Sequence, residues 1–188
     1  MLDVLASVWK ADALTASALM LPAEAHPLTR HVYEYWLWKR DRRGALPGRQ
    51  DVDPVELGNV LPWIWLVTVL NEPIRFQFRL VGTAHVEAMG WDPTGRQIDD
   101  ALPTFARSAS RVDLVEVVRE GVVSYRTGPT VVALAKSDDN CRERLALPLA
   151  KDGSDIDMLL CMTLYGARAV PRWALRACQS SWRAEYST

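Results

Sequence analysis

The clearest candidates for chemistry in this sequence are carboxylates that occur in pairs. Asp51 and Asp53 lie in a turn, but Asp53 followed by Pro54 is typical of a helix N-cap. Asp99 and Asp100 are polar residues that precede a helix started by a proline. No serine and histidine form a nucleophile motif, and no glycine-rich phosphate loop is present. The pattern predicts that the protein is not an enzyme, with catalysis in an interior crevice kept as the alternative.

Cys141 has the surroundings that most resemble a known reactive site. The stretch Asn140–Leu145 resembles the start of the flavin-linking motif of blue-light receptors, in which a cysteine attacks a flavin carbon. In those receptors the motif begins a helix. Here Leu145, Leu147 and Leu149 alternate with smaller residues, which is typical of a strand. We therefore expect Cys141 to start a strand after a polar turn, away from any flavin ring.

The composition indicates a soluble globular protein. Its 188 residues, 49% of them hydrophobic, can bury the core of one domain, and a net charge of -1 gives no overall attraction to nucleic acid or acidic lipid. Cys141, Cys161 and Cys178 form neither a metal pattern nor a disulfide framework, which favours a reducing, cytoplasmic setting. No apolar run is long enough to span a bilayer. We expect no metal, no nucleic acid and no membrane as partners.

Helix signals mark four parts of the chain. Residues 1–25 are predicted to be a helical N-terminal extension, because four apolar residues recur at helical spacing: Leu2, Leu5, Val8 and Trp9. The strongest helix runs from Pro27 to a stop at Gly44. Its last turn carries basic residues that suit the helix dipole and predict local salt bridges: Lys39, Arg40, Arg42 and Arg43. A further helix is predicted over 103–120, and a C-terminal helix over 167–188.

Five segments carry strand patterns. They are residues 63–70, 74–81, 122–134, 141–150 and 156–165. Two precede the long helix and three follow it. This order predicts an α+β fold, with a five-stranded antiparallel sheet, helices on one face, and additional N- and C-terminal helices. The predicted organisation is the extension at 1–25, one domain at 26–166 and the C-terminal helix at 167–188.

Six short motifs follow one another in a specific order. They are Tyr35-Trp36, Gly44-Ala45-Leu46-Pro47, Arg49-Gln50-Asp51-Val52-Asp53-Pro54, Leu61-Pro62, Arg79-Leu80-Val81-Gly82-Thr83 and Thr94-Gly95-Arg96. Together they resemble a bacterial stand-alone PAS-like family, the fifth PAS group, typical of alphaproteobacteria. The resemblance covers residues 28–166. It implies the PAS fold and a signalling role without an attached output domain, but no catalytic residue and no particular ligand.

Haem is a cofactor of some PAS domains, which bind it through a histidine on the long helix. Residues 103–120 contain no histidine. Among His26, His31 and His85, only His85 lies within the central fold, and we expect it to be an ordinary helix residue. The sequence thus points to no particular cofactor.

A small-molecule crevice is the main functional expectation, since a PAS sheet curves against its helices. Six residues are predicted to face it: Trp65, Phe76, Phe78, Phe105, Val112 and Met162. The protein would then be a sensor that binds a metabolite or a protein. The alternative is that these side chains fill the core and the protein is a structural adaptor.

Aromatic residues near the N-terminus predict an interface. The helix from Pro27 carries aromatics around most of its circumference, and one sheet cannot cover them all. We expect an exposed surface formed by Trp9, Tyr33, Trp36 and Trp38. It predicts a homodimer built on the N-terminal helices, with a regulatory protein as the other partner to consider.

Overall fold

The computed structural model describes residues 8–17, 20–128 and 141–165, which are built around one antiparallel sheet. Its strands are β1 (Val8–Asp12), β2 (Ile64–Leu70), β3 (Arg75–Val81), β4 (Val122–Thr127), β5 (Cys141–Ala150) and β6 (Ile156–Tyr165). They lie in the order β1-β4-β5-β6-β2-β3, and every neighbouring pair is antiparallel. The predicted PAS-like antiparallel α+β fold is confirmed, with six strands in place of the expected five.

The additional strand is β1, so the predicted N-terminal helix is wrong for Val8–Asp12. β1 pairs with β4 in continuous register, from Val8 opposite Arg126 to Asp12 opposite Val122. The edge of β4 offers unpaired backbone groups, and a short isolated helix has little stability of its own. Tertiary pairing therefore decides the structure of this segment. The remaining residues of the predicted helix, 1–7, lie outside the described part of the chain.

Five α-helices accompany the sheet in the described residues. They are α1 (Pro27–Arg43), α2 (Pro54–Leu57), α3 (Thr83–Met89), α4 (Ile98–Ala101) and α5 (Ala109–Glu120). α1 has the predicted bounds and ends at Gly44, whose φ of 68° is left-handed. α5 is shorter than predicted, because Ser108 is extended and caps it by accepting a hydrogen bond from the Arg111 amide. The C-terminal helix predicted over 167–188 lies outside the described residues.

Helices cover both faces of the sheet, which corrects the expectation of helices on one face. Leu145, Leu147 and Leu149 belong to the apolar cluster that contains α1. Ala146, between them, belongs to the cluster that contains α5. Because successive residues of a strand point to opposite faces, the two clusters lie on opposite sides. We call these sides the α1 face and the inner face, the latter being covered by α3, α4 and α5.

A bulge in the β2–β3 hairpin changes which residues reach the inner face. The register shifts between Leu66 and Val67, so that Phe78 lies opposite Val67 while Leu80 lies opposite Leu66. Phe76 and Phe78 are fully buried, whereas Leu80 is 43% exposed. The predicted alternation of apolar residues thus holds up to Phe78 and fails at Leu80.

Gly82 connects this hairpin to α3 through a very close backbone approach. Its amide donates to the Ile64 carbonyl over 2.8 Å. A Cβ at this position would lie only 2.4 Å from the Pro62 carbonyl oxygen. Only glycine allows α3 to begin directly against the 58–63 turn. This approach positions α3, and with it His85, over the end of the sheet.

Candidate functional site

The inner face has an aromatic half and a charged half. The aromatic half comprises Trp65, Phe76, Phe78, Phe105, His85 and Tyr165. The charged half comprises Ser110 and Asp113 of α5, Ser124 and Arg126 of β4, and Arg144 of β5. Polar groups on an otherwise apolar buried surface are the usual means of orienting a ligand, so their arrangement decides what this face can bind.

His85 lies at the centre of the aromatic half. Its ring stacks on Trp65, with centroids 5.4 Å apart and an interplanar angle of 10°. The Tyr165 hydroxyl and the His85 Nδ1 share a hydrogen bond. Burial lowers the pKa of His85 to about 4, since the charged imidazolium is poorly solvated there. The imidazole is therefore neutral at neutral pH and contributes a flat ring surface to this half.

The charged half is held together by an ion pair across the α5–sheet boundary. Arg126 donates to both carboxylate oxygens of Asp113, over 2.6 and 2.7 Å. Arg144 lies opposite Arg126 in the β4–β5 register and donates to the hydroxyl of Ser110. Two strands are thereby tied to one helix by directional, charge-assisted bonds. Displacement of α5 would break these bonds.

A chain of contacts joins the two halves. Thr163 of β6 lies opposite Arg144 in the β5–β6 register. Its hydroxyl accepts a hydrogen bond from the Trp65 indole nitrogen over 3.0 Å. Thr163 of β6 therefore lies between the charged half on β4 and β5 and Trp65 on β2.

A cavity of about 40 Å³ lies where the two halves meet. Its lining consists of Trp65, Phe105, Ser110, Asp113, Leu114, Ser124, Arg126, Arg144, Leu145 and Ala146. Since one water molecule needs about 10–15 Å³ on this measure, the cavity holds roughly three waters or one small functional group. It is too small for a whole flavin or haem without movement of α5.

Four of the six predicted crevice residues lie together on the inner face. Trp65, Phe76, Phe78 and Phe105 belong to the same apolar cluster, as expected. Of these, Trp65 and Phe105 line the cavity.

The other two predicted crevice residues do not lie in the crevice. Val112 is 56% exposed, because the buried residues of α5 are Asp113, Leu114 and Val117. Met162 belongs to the cluster on the α1 face, since it follows the inner-facing Cys161 by one residue. Both assignments to the crevice are corrected.

The predicted interface aromatics are mostly buried within the chain. Tyr33, Trp36 and Trp38 are no more than 7% exposed. Trp9 is half-buried and meets Tyr33 edge-to-face, with ring centroids 6.1 Å apart. The expectation that these residues form an exposed interface is therefore wrong.

Other parts of the chain cover the side of α1 that faces away from the sheet. Tyr33 donates to the Ser17 carbonyl over 3.0 Å, and Tyr35 donates to Glu56 over 2.9 Å. The N-terminal segment and α2 thus provide the second surface that the sequence interpretation left out. The salt bridges predicted for this helix end are confirmed for Lys39 with Glu56 and for Arg43 with Asp51.

Sequence reasoning missed the charged half of the site. Strand alternation places Ser124 and Arg126 on the face opposite the apolar Val123 and Tyr125. Such a polar face is ordinarily predicted to be exposed to solvent. Here it faces α5. The available signal was Asp113, which occurs within the apolar stripe of a helix, where a carboxylate needs a buried cation as its partner.

The structure also decides the position of Cys141. Cys141 is the first residue of β5, as expected, and a strand rather than a helix follows it. Within residues 8–17, 20–128 and 141–165, no three His, Cys, Asp or Glu side chains are grouped so as to hold a metal ion. In the described part of the chain, no helix combines the length and apolar character needed to cross a membrane.

Comparison with known proteins identifies the family. The family model described as the PAS domain, in its fifth group, matches residues 24–163. No significant match was found among curated proteins or among solved structures. The matched region contains α1, strands β2 to β5 and most of β6, together with the inner-face cavity, whereas β1 precedes it. The chain therefore belongs to the PAS domain family, whose members are sensory and signalling modules.

Proposed function

We propose that this protein is a non-catalytic sensor that binds a small molecule in the inner-face cavity. The observation that carries the proposal is a cavity on the inner face, among whose lining residues are both aromatic and charged ones. If the core served only packing, we would not expect two arginines and two serines around an opening. The cavity therefore favours a sensor over a structural adaptor.

The chemistry of three groups on the inner face, one of which lines the cavity, supports recognition rather than turnover. The Asp113 carboxylate accepts two hydrogen bonds from Arg126 and is thereby engaged as a structural ion pair. His85 takes up a proton only with difficulty, because burial lowers its pKa to about 4. Burial also raises the pKa of the Cys161 thiol, which disfavours the reactive thiolate. These three groups are therefore poorly suited to act as a general acid, a general base or a nucleophile.

Signal transfer would follow from the attachment of α5. A ligand that changes the bonds of Asp113 or Arg144 changes how tightly α5 is held on the sheet. Lys10 of β1 contacts Glu116 of α5 and lies 3.9 Å from Asp113, so the outermost strand experiences the same change. Occupied and empty states would then differ in the populations of their α5–β1 packings.

The proposed output is altered association, either as a homodimer or with a regulatory protein. The association surface would have to be one other than the buried aromatics of α1. Sedimentation velocity with and without ligand measures the homodimer directly, since a ligand that shifts the packing should shift the dimer fraction.

The sensor proposal is tested by thermal denaturation across a library of small metabolites. At least one compound should raise the Tm in a saturable way while remaining chemically unchanged, as checked by NMR of the mixture. Ala146→Val places two methyl groups at the cavity wall and should abolish this stabilisation. Ala109→Val, at an exposed position at the start of α5, is the matched control and should retain it. Turnover of the compound, or a library without any saturable stabilisation, would contradict the proposal.

A further inference from the structure

We propose that the group recognised in this cavity is uncharged and apolar, with about three heavy atoms, either as a free molecule or as the end of an alkyl chain. This inference rests on the proposed sensor function and specifies the class of ligand. Three observations carry it: the atoms that form the cavity wall, the bonds already made by the polar groups, and the volume.

The wall of the cavity is almost entirely apolar, although half of its lining residues have polar side chains. Apolar side chains line it from both the helical and the sheet side: Phe105 precedes α5 and Leu114 lies within it, whereas Ala146 lies on β5 and Trp65 on β2. A molecule in the cavity therefore meets chiefly carbon atoms, from the helix as well as from the sheet.

The polar groups of the lining are engaged with one another. Asp113 accepts hydrogen bonds from Arg126 at both of its carboxylate oxygens, over 2.6 and 2.7 Å. Arg144 donates to the hydroxyl of Ser110. The Trp65 indole N–H donates to Thr163 outside the lining. These bonds account for an apolar wall among residues whose side chains end in polar groups.

The charges beside the cavity disfavour an anionic ligand. Arg126 is paired with Asp113, and Lys10 is paired with Glu116 of the same helix. A ligand anion would have to approach these two carboxylates and give up its own hydration, with few polar atoms in the wall to replace it. An uncharged ligand avoids both costs.

An apolar group is also favoured over water. A buried water molecule is held by about two to four polar partners, and apolar cavities tend to stay dry and to bind apolar molecules. An apolar group gains free energy by leaving water and by contacting the carbon atoms of the wall. The surface of this cavity therefore selects hydrocarbon over hydrogen-bonding groups.

The volume and the surroundings limit the size of the ligand. About 40 Å³ is room for about three heavy atoms. Part of the lining is only half-buried, namely Trp65, Ser110, Arg126 and Arg144. The remainder of a longer molecule could extend outward past these residues, so the apolar group can also be the end of a chain.

The test uses three probes that each have three heavy atoms and differ in polarity: propane, formamide and formate. Binding to the full chain is followed by NMR of the Ala146 and Leu114 methyl groups, assigned by the loss of their signals in Ala146→Gly and Leu114→Ile. Propane, dissolved under pressure, should shift both signals in a saturable way with a Kd of about 1–10 mM, and should show NOEs to them. Formamide and formate at equal concentrations should do neither.

A longer probe, 1-hexanol, identifies the source of the apolar group. NOEs from its terminal methyl group to Ala146 would support the inference with a chain end as the ligand. Binding of propane without binding of hexanol would support it with a small free molecule as the ligand.

Two alanine variants locate the effect. Ala146→Val narrows the cavity and should weaken propane binding by about tenfold or more. Ala109→Val, at an exposed position of α5, is the matched control and should leave binding unchanged. A circular dichroism spectrum and Tm close to those of the wild type establish that each variant is folded. If Ala146→Val does not fold, the NOEs in the wild type still decide whether propane lies in the cavity.

The contrary outcomes separate this inference from the sensor proposal. Binding of formamide or formate at these methyl groups as tightly as propane would overturn the apolar inference while leaving the sensor proposal standing. Stabilisation by a library compound that depends on Ala146, with no binding of propane or hexanol, would do the same. Propane binding without stabilisation by any library compound would overturn the sensor proposal instead. If no probe and no library compound binds, both fail.

Discussion

At the residue scale, Gly82 is the position where the backbone leaves no room for a side chain. The carbonyl oxygens of Pro62, Leu61 and Ile64 all lie within 2.7 Å of the place where a Cβ would be. Backbone oxygens cannot rotate away as a flexible side chain can, so a substitution must displace α3 or the 58–63 turn. Because α3 carries His85, any displacement also alters the aromatic half of the site.

Gly82→Ala is expected to lower the free energy of unfolding by about 3 kcal/mol, at the upper end of the range for overpacking. Gly44→Ala is the control, because Gly44 has a left-handed φ of 68° but nothing within 4 Å of its missing Cβ. The control should lose only about 1–2 kcal/mol from backbone strain. Urea denaturation followed by tryptophan fluorescence measures both. A loss for Gly82→Ala no greater than the control's would contradict the close approach.

His85 makes the stability of the fold depend on pH. Burial lowers the pKa of His85 from 6.5 to about 4 in the folded state, so the unfolded state takes up a proton first as the pH falls. The stabilising contribution is fully present above pH 6.5 and is lost progressively between pH 6.5 and pH 4. The direction follows from the unfolded chain binding more protons than the folded chain in this window.

Between pH 7.5 and pH 5, the wild type should lose about 2 kcal/mol more stability than His85→Phe. Phenylalanine keeps a ring against Trp65 but cannot take up a proton. Other titrating groups contribute equally to both proteins, so the difference between the two urea-denaturation series isolates His85. Parallel loss of stability in both proteins over this range would show that His85 is not buried in its neutral form.

At the element scale, β1 is the strand that the sequence pattern did not predict. Its N–H groups alternate between β4 and solvent, and Ala13 donates to the Gly121 carbonyl over 2.8 Å. Ala11, two residues earlier and opposite Val123, therefore also directs its N–H toward β4, whereas that of Lys10 points away. A proline at Ala11 therefore tests the pairing of β1 with β4, and a proline at Lys10 is the control.

Ala11→Pro should destabilise the protein by about 2 kcal/mol, because it removes a ladder hydrogen bond and leaves a carbonyl of β4 unpaired. Lys10→Pro keeps the ladder and loses chiefly the ion pairs of a partly exposed lysine, for which we expect a loss of less than about 1 kcal/mol. Chemical denaturation of the two variants measures the loss of unfolding free energy in each. Equal small losses would show that β1 contributes little to the sheet.

The elements that the sequence predicted well are those with local signals at their ends. α1 lies between Pro27 and Gly44, and β5 and β6 have the predicted bounds because the turn between them contains Gly153. β1 could not be predicted, because its structure depends on the edge of a strand more than 100 residues away. Val112 of α5 was assigned to the crevice, whereas the helix buries Asp113, which pairs with Arg126.

The candidate site was predictable only in its aromatic half. Large aromatics on strands indicate burial regardless of their partners, and Trp65, Phe76 and Phe78 lie on one face together with Phe105. The partly buried Arg126 and Arg144 carry no such signal, since a polar strand face covered by a helix has the same sequence pattern as one that faces water. The charged half emerges only when α5 is placed over β4 and β5.

At the scale of the whole molecule, the sheet separates two layers with different roles. On the α1 face, the N-terminal segment and α2 cover the aromatic residues of α1, which are buried. On the inner face, α5 is attached by Asp113 and Ser110 around a small opening. The inner-face layer thus contains the cavity in which we propose that a ligand binds.

The central claim is that a small molecule occupies the inner-face cavity, and native mass spectrometry tests it most directly. Wild type and Ala146→Val are each equilibrated with the same metabolite mixture and sprayed under gentle conditions. The account predicts a non-covalent adduct of one small molecule on the wild type that is absent from Ala146→Val. No adduct on either protein, or the same adduct on both, would contradict the claim.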